Sequence, residues 1–182
     1  MTTRPTLSRR LLAPALWLVA LLAQSAAAAL PERYGAIVLQ PAGGPERAEF
    51  DLSAALARAQ RENKRLYVYL GASDCAFCRK YEAFLARHAD ELVPQFERHR
   101  FLLVDLRSSL AMSADKLYLR IGARSLPYAE FQRSIGDERA RLLVYPNVWL
   151  LDAQARPLMQ MPAGTGTFET VPEQLEILRL EQ

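Results

Sequence analysis

Apolar positions in this chain fall into two rhythms, a helical spacing and short continuous runs, and each predicts a different element. From Asp51 to Glu62, Leu52, Ala55, Leu56 and Ala59 recur at helical spacing with Arg58, Arg61 and Glu62 opposite, the pattern of an amphipathic helix. Asn63-Lys64 ends it. Leu66-Tyr67-Val68-Tyr69-Leu70 follows as an uninterrupted β-prone run, suited to a strand covered on both faces, and Gly71 to Asp74 is expected to turn the chain. Phe77, Tyr81, Phe84, Leu85 and His88 then mark one side of a second helix that starts around two cysteines.

A short helical piece from Asp90 to Phe96 leads to another apolar strand, Phe101 to Leu106. Between Arg107 and Arg139, Asp115 to Ile121 and Pro127 to Ile135 each read as helix, joined through Gly122 to Leu126. Leu142 to Leu151 reads as a strand with Pro146 near its start, and Asp152 to Ala155 turns it into Pro157 to Met161 as a hairpin. Thr170-Val171-Pro172-Glu173 is a capping box with proline just inside the helix, which continues through Leu175, Ile177, Leu178 and Leu180. Ala36 to Leu39 offers a short strand before all of these. The order implies one α/β domain, a mixed central sheet with helices on both faces. A chain of 182 residues, 51% of them apolar, can bury the core this requires.

The first 29 residues follow a different logic. Arg4, Arg9 and Arg10 precede an apolar run, Leu11 to Ala23, and Ala26 to Ala29 supplies small residues for cleavage, the layout of an export signal with the mature domain at residues 30–182. Leu11 to Leu30 approaches the length of an uncleaved anchor, but Pro14 and the alanine-rich end favour cleavage. Ser8-Arg9-Arg10-Leu11-Leu12 also admits a twin-arginine route. With no cysteine near the cleavage region, a lipid has no attachment residue. The signal also explains the net charge of +3: it holds three of the 23 basic residues and none of the 20 acidic ones, so the mature chain is formally neutral. Nucleic acid is therefore excluded as a natural partner, and cleavage leaves no stable membrane insertion.

The chemistry concentrates at Cys75 and Cys78, the only cysteines. A structural bridge is the plain reading for an exported chain, yet a loop this short restrains little chain entropy, so stability explains the pair poorly. Reversible redox chemistry suits the spacing better. One sulfur at a helix start can be exposed while the other is buried a few residues on, and the helix N-terminus favours the reactive thiolate at Cys75. Arg79 and Lys80 are candidate modulators that add positive potential. Asp74 would oppose the thiolate if turned toward the sulfur, or would serve as the helix N-cap if turned toward the backbone. Copper or zinc would need further ligands, for which His88 and His99 are the only histidines, and neither has the spacing of a local Cys/His site. No metal or cofactor is expected beyond the redox-active disulfide itself.

Ala72-Ser73-Asp74-Cys75-Ala76-Phe77-Cys78-Arg79-Lys80-Tyr81, placed after a strand, resembles the active-site strand and helix of the thioredoxin superfamily, in particular its periplasmic thiol-disulfide oxidoreductases with a polar residue such as Lys80 after the second cysteine. Tyr145-Pro146 before a strand resembles that family's cis-proline element, about seventy residues later and in the family's order. The resemblance covers most of Asp51 to Glu181. It implies a thioredoxin-like three-layer fold with an insertion before the cis-proline strand, Cys75 as nucleophile, Cys78 as resolver, and Tyr145 and Pro146 as substrate-binding residues. It also implies a periplasmic enzyme acting on protein thiols or disulfides, served by a membrane thiol carrier or a quinone-linked reoxidant.

Departures from the family pattern leave the direction open, with reduction favoured. Tyr69 stands at the position of a buried acid, Asp74 replaces a tryptophan, and Ala76-Phe77 matches neither typical intervening dipeptide. In the longer segment 107–139, Tyr118, Tyr128 and Phe131 are candidates for a recognition surface or for the core. The alternative functions are a non-catalytic binding module of the same fold and copper delivery.

Overall fold

The computed structural model describes residues 29–133, 142–162 and 169–179. The expected signal, up to residue 28, lies outside these, as do Ile135 and Leu180 of the expected helices.

The uninterrupted apolar run becomes β4 (Arg65–Ala72), and its lack of a polar face sends it to the centre of a five-stranded sheet. The order is β1-β5-β4-β8-β9. β1 (Ile37–Leu39) runs parallel to β5 (Phe101–Ser108), and β5 parallel to β4. On the other side β8 (Asn147–Leu151) is antiparallel to β4, and β9 (Pro157–Pro162) completes the expected hairpin.

Strand alternation divides the interior into two cores. Leu66, Val68, Leu70 and Ala72 of β4 meet α1 (Ser53–Glu62), Trp149, and a smaller sheet. Tyr67 and Tyr69 point the other way, into the core beneath α2 (Ala76–Arg87), α3 (Ala89–Arg98) and α5 (Val171–Arg179). Helices thus cover both faces, as expected. The last helix is fixed at both levels. Thr170 and Glu173 exchange the two capping hydrogen bonds, and buried Gln174 joins the hydroxyls of Tyr67 and Tyr81, themselves 2.7 Å apart.

The segment after β5 departs from expectation. Asp115 to Ile121 is not a helix: only Ala114–Lys116 forms a 3-10 turn, and Leu117–Ile121 is strand β6. Leu117 and Leu119 are fully buried while Tyr118 and Arg120 are not, a period of two that a strand satisfies and a helix does not. β6 pairs with β3 (Arg47–Asp51) and with β7 (Arg124–Pro127), giving a second sheet of order β2-β3-β6-β7, where β2 is Ala42–Gly44. The connection through Gly122 is therefore a hairpin, and the second expected helix is α4 (Tyr128–Arg133). Tyr128 and Phe131 are core residues against Trp149, and Tyr118 is capped by Arg47, 3.7 Å from its ring centre.

Glu49 stitches the second sheet together. Its carboxylate accepts hydrogen bonds from Ser125, Arg120 and Arg47. The Ser125 bond, followed by those of the arginines, holds its pKa below the ordinary 4.5 despite partial desolvation. A lowered folded pKa stabilises the fold above the ordinary value, and that contribution is lost as pH falls through the folded one. Glu49→Gln is therefore expected to lower the urea midpoint near neutrality, with the gap to wild type narrowing as pH drops below 4.5; a gap independent of pH would contradict this account.

The expected turn at Gly71 is also later than the sequence suggests, because β4 continues to Ala72. Gly71 is needed for room. A Cβ there would lie 2.6 Å from the Tyr69 ring and 2.8 Å from its hydroxyl, and that ring is fully buried. Gly71→Ala should cost about 1–3 kcal/mol by overpacking, read as a lower denaturant midpoint with an unchanged slope.

Candidate functional site

The end of β4 delivers the chain directly into α2, and the two cysteines occupy that junction. The Cys75 N–H donates to the Ala72 carbonyl at 3.1 Å, which closes the turn. Cys75 is the N-cap of α2 in an extended conformation, and its Sγ accepts the Cys78 N–H at 3.1 Å. Cys78 Sγ lies 3.5 Å from the Ala72 N–H. The pair is joined as a disulfide with Cα atoms 5.2 Å apart. Each sulfur therefore meets a backbone donor, and Cys75 sits where the helix concentrates partial positive charge.

Tyr145 and Pro146 lie at the same end of the sheet. Antiparallel pairing of Leu70 with Asn147 places Pro146 beside the last residues of β4, and Tyr145 shares the core cluster that contains both cysteines. The Tyr145–Pro146 bond is cis. A central strand ends in a disulfide-bearing helix start, with two parallel strands on one side, an antiparallel hairpin on the other, and a cis-proline leading into that hairpin beside the strand's last residues. The fold is thioredoxin-like.

No protein-family profile and no curated protein sequence matches the chain. Similar solved structures include a reduced thioredoxin pre-protein of Schistosoma mansoni, at 13% identity over 71% of this chain and 94% of that one, with a TM-score of 0.37. They also include the exposed lipoprotein thioredoxin Etrx1 of Streptococcus pneumoniae, at 16% identity over 69% and 89% with a TM-score of 0.39. A thiol:disulfide interchange protein DsbE of Chlorobium tepidum shares 14% identity over 66% and 82%, with a TM-score of 0.38. At such distances the thioredoxin-like assignment rests on strand order and the placement of the sulfurs.

The expected arrangement of the neighbouring residues needs correction. Cys75 is 2% exposed, not open to solvent, because it packs into the core cluster with Ala72 and Tyr145; Phe77 is exposed, at 55%. Phe77 therefore leaves the apolar side of α2 to which its spacing assigned it. Asp74 is not the helix N-cap, a place already taken by Cys75. Its Oδ1 instead accepts the Leu110 N–H at 2.9 Å, tying the turn before the cysteines to the loop after β5. Lys80 is committed to an ion pair with Glu169 beside the start of α5, whereas Arg79 is exposed on the first turn. Ser108, at the end of β5, pairs with the Tyr145 hydroxyl at 2.8 Å. Burial raises the Tyr145 pKa, opposed by that hydrogen bond and assisted by the charge of Asp74.

Beneath α2 lies a group of ionisable side chains that the pattern reading passed over. Tyr69 donates its hydroxyl to Glu82 Oε1 at 2.8 Å, and Asp105 faces Tyr69 across the β4–β5 ladder. Asp105 Oδ2 accepts both the Leu30 N–H, at 3.0 Å, and the Arg107 guanidinium. Burial is the largest influence on both carboxyls and raises their pKa values; it also drives the Tyr69 phenol far up, helped by the charge of Glu82. The signals were present: Asp105 is the sole polar residue in Phe101 to Leu106, and Glu82 follows Cys78 by one helical turn. The histidines lie elsewhere. His88 packs on Phe84, with ring centres 5.0 Å apart, at the far end of α2, and His99 caps the C-terminus of α3.

A carboxylate close to a sulfur disfavours its thiolate, and Asp74 adjoins Cys75 in the chain with Oδ1 turned to Leu110. Asp74→Asn keeps an acceptor for Leu110 while removing the charge. The reduced variant should be alkylated by iodoacetamide several-fold faster than wild type at pH values below the thiol pKa; equal rates would show that the charge does not reach the sulfur.

Proposed function

We propose that this chain is a thiol-disulfide oxidoreductase acting on protein substrates, and the observation that carries the reading is Cys75 Sγ at the N-cap of α2 accepting the Cys78 N–H. A donor and helix dipole already directed at this sulfur stabilise the thiolate once the bridge is reduced. A purely structural bridge spanning two intervening residues has little need of that placement.

In the reducing direction, the Cys75 thiolate attacks one sulfur of a substrate disulfide, forming a mixed disulfide and releasing the other substrate sulfur as a thiolate. The Cys78 thiolate then attacks Cys75 Sγ, restores the intramolecular bridge, and releases the second substrate thiolate. Two electrons pass from the cysteine pair to the substrate, and the reverse sequence oxidises a substrate dithiol. With Cys75 only 2% exposed, a substrate reaches this nucleophile at its edge. Exposed Phe77, Leu110 and Val144 offer apolar contact of the kind a protein segment would use, supporting a macromolecular substrate. Tyr145 and Pro146 would flank that segment.

The N-terminal pattern supports export with the signal removed, and the reading places the enzyme in the periplasm. Among the described residues no helix is long and apolar enough to cross a membrane. Reduction is the favoured direction, with electrons supplied by a membrane thiol carrier; an oxidase would instead use a quinone-linked reoxidant. The competing reading is a binding module whose bridge is static, for which the near-complete burial of both sulfurs is the favouring observation.

Substitution separates the two. Cys75→Ser should reduce turnover of a disulfide-bonded protein to background, whereas Cys78→Ser should accumulate mixed disulfides visible as a mass increase under non-reducing conditions. A Cys75–Cys78 bridge that stays intact across the full glutathione redox range would establish the static module.

A further inference from the structure

Two buried carboxyls share one guanidinium beneath α2. Glu82 and Asp105 are 7% and 0% exposed, and Arg107 is the cation beside both. A buried carboxylate without a full partner is costly, and among the described residues Arg107 is ion-paired with Asp105 while Glu82 has no ion pair. This interior is also short of a donor. Asp105 Oδ1 is buried with no hydrogen-bond partner among the described residues.

Among the described residues of the N-terminal segment, main-chain nitrogens face these acids. The Leu30 N–H donates to Asp105 Oδ2 at 3.0 Å, and the Ala29 backbone lies close enough to Glu82 to favour its charged form. From Leu30 onward the segment is held firmly. Leu30 is 6% exposed, the Tyr34 hydroxyl donates to the Leu85 carbonyl at 2.9 Å, and the Tyr34 ring meets Phe96 edge-on. Ala27 and Ala29, the small residues that a signal cleavage site places at alternate positions, come immediately before it.

A peptide nitrogen brings one hydrogen and no charge, whereas an α-ammonium brings three hydrogens and a positive charge. We infer that Asp105 and Glu82 form a receptor for the α-ammonium group that signal removal creates at Leu30. Hydrolysis of the Ala29–Leu30 bond gives the hydroxyl of water to the Ala29 carbonyl and its hydrogen to the Leu30 nitrogen, which takes up a further proton near neutral pH. That nitrogen already stands at Asp105 Oδ2. Its added hydrogens become available to Oδ1 and to Glu82, which loses the Ala29 backbone. The processed chain gains an ion pair where the precursor has an amide, so the site distinguishes the two forms.

The inference rests on the export reading, and the experiment separates their failures. The full 182-residue chain is produced with its own N-terminal segment in a bacterium that has a periplasm, isolated, and weighed intact. It is then pulsed with an acetylating succinimidyl ester near neutral pH, natively and in denaturant. The expected result is a chain starting at Leu30 whose α-amine reacts at least about tenfold more slowly in the native state, equivalent to one unit of amine pKa. Asp105→Asn should remove most of that protection while the Cys75–Cys78 bridge still forms; if that variant does not fold, Glu82→Gln serves the same comparison. An uncleaved chain overturns both readings. A different N-terminus, an unprotected Leu30 amine, or protection unchanged in the folded variant overturns this inference alone.

Discussion

A strand covered on both faces can offer reactive groups only at its ends, and the architecture of this protein follows from that constraint on β4. Tyr67 and Tyr69 fill one core and Leu66, Val68, Leu70 and Ala72 the other, so no position along the strand is free for chemistry. The chain must leave the sheet before it can carry a functional side chain. It does so at Ala72, whose carbonyl closes the turn and whose N–H meets Cys78 Sγ. One residue's backbone thus serves both the turn and a sulfur.

The helix that follows solves a second problem. Its first turn has unpaired N–H groups that need acceptors, and Cys75 Sγ serves as one for Cys78 in place of the Asp, Ser or Asn found at most N-caps. A sulfur is a weak acceptor when bonded to a partner and a better one as a thiolate. Reduction of the bridge thus makes Cys75 a better cap, coupling the electron state of the pair to the helix start. Deeper along α2, Tyr81 and Gln174 fasten the helix to β4 and α5 through a buried polar network, so the first turn is mounted on a rigid base.

The central sheet, the cysteine site and the last helix were legible because each has a strong local signature: an apolar run, a spaced cysteine pair, a capping box. Leu117 to Ile121 was not, since its apolar residues Leu117, Tyr118, Leu119 and Ile121 fit either period in sequence, and the decision lay with β3, some seventy residues away. The exposure of Phe77 and burial of Cys75 were equally hidden. They depend on how the junction of β4 and α2 packs into the core, which helical spacing does not encode. Glu82 and Asp105 look like ordinary charges in sequence; only the pairing of Tyr69 with Asp105 and the overlying helix bring them together.

Both margins of the sulfur site are braced from the same short loop. Ser108 holds Tyr145 on one side, and two residues later the Leu110 nitrogen holds Asp74 on the other. Three residues that carry neither sulfur nor proline, Ser108 to Leu110, thus hold positions on both sides of the bridge at once, like a hinge plate. A change in that loop would therefore shift Asp74 and Tyr145 together without touching either sulfur.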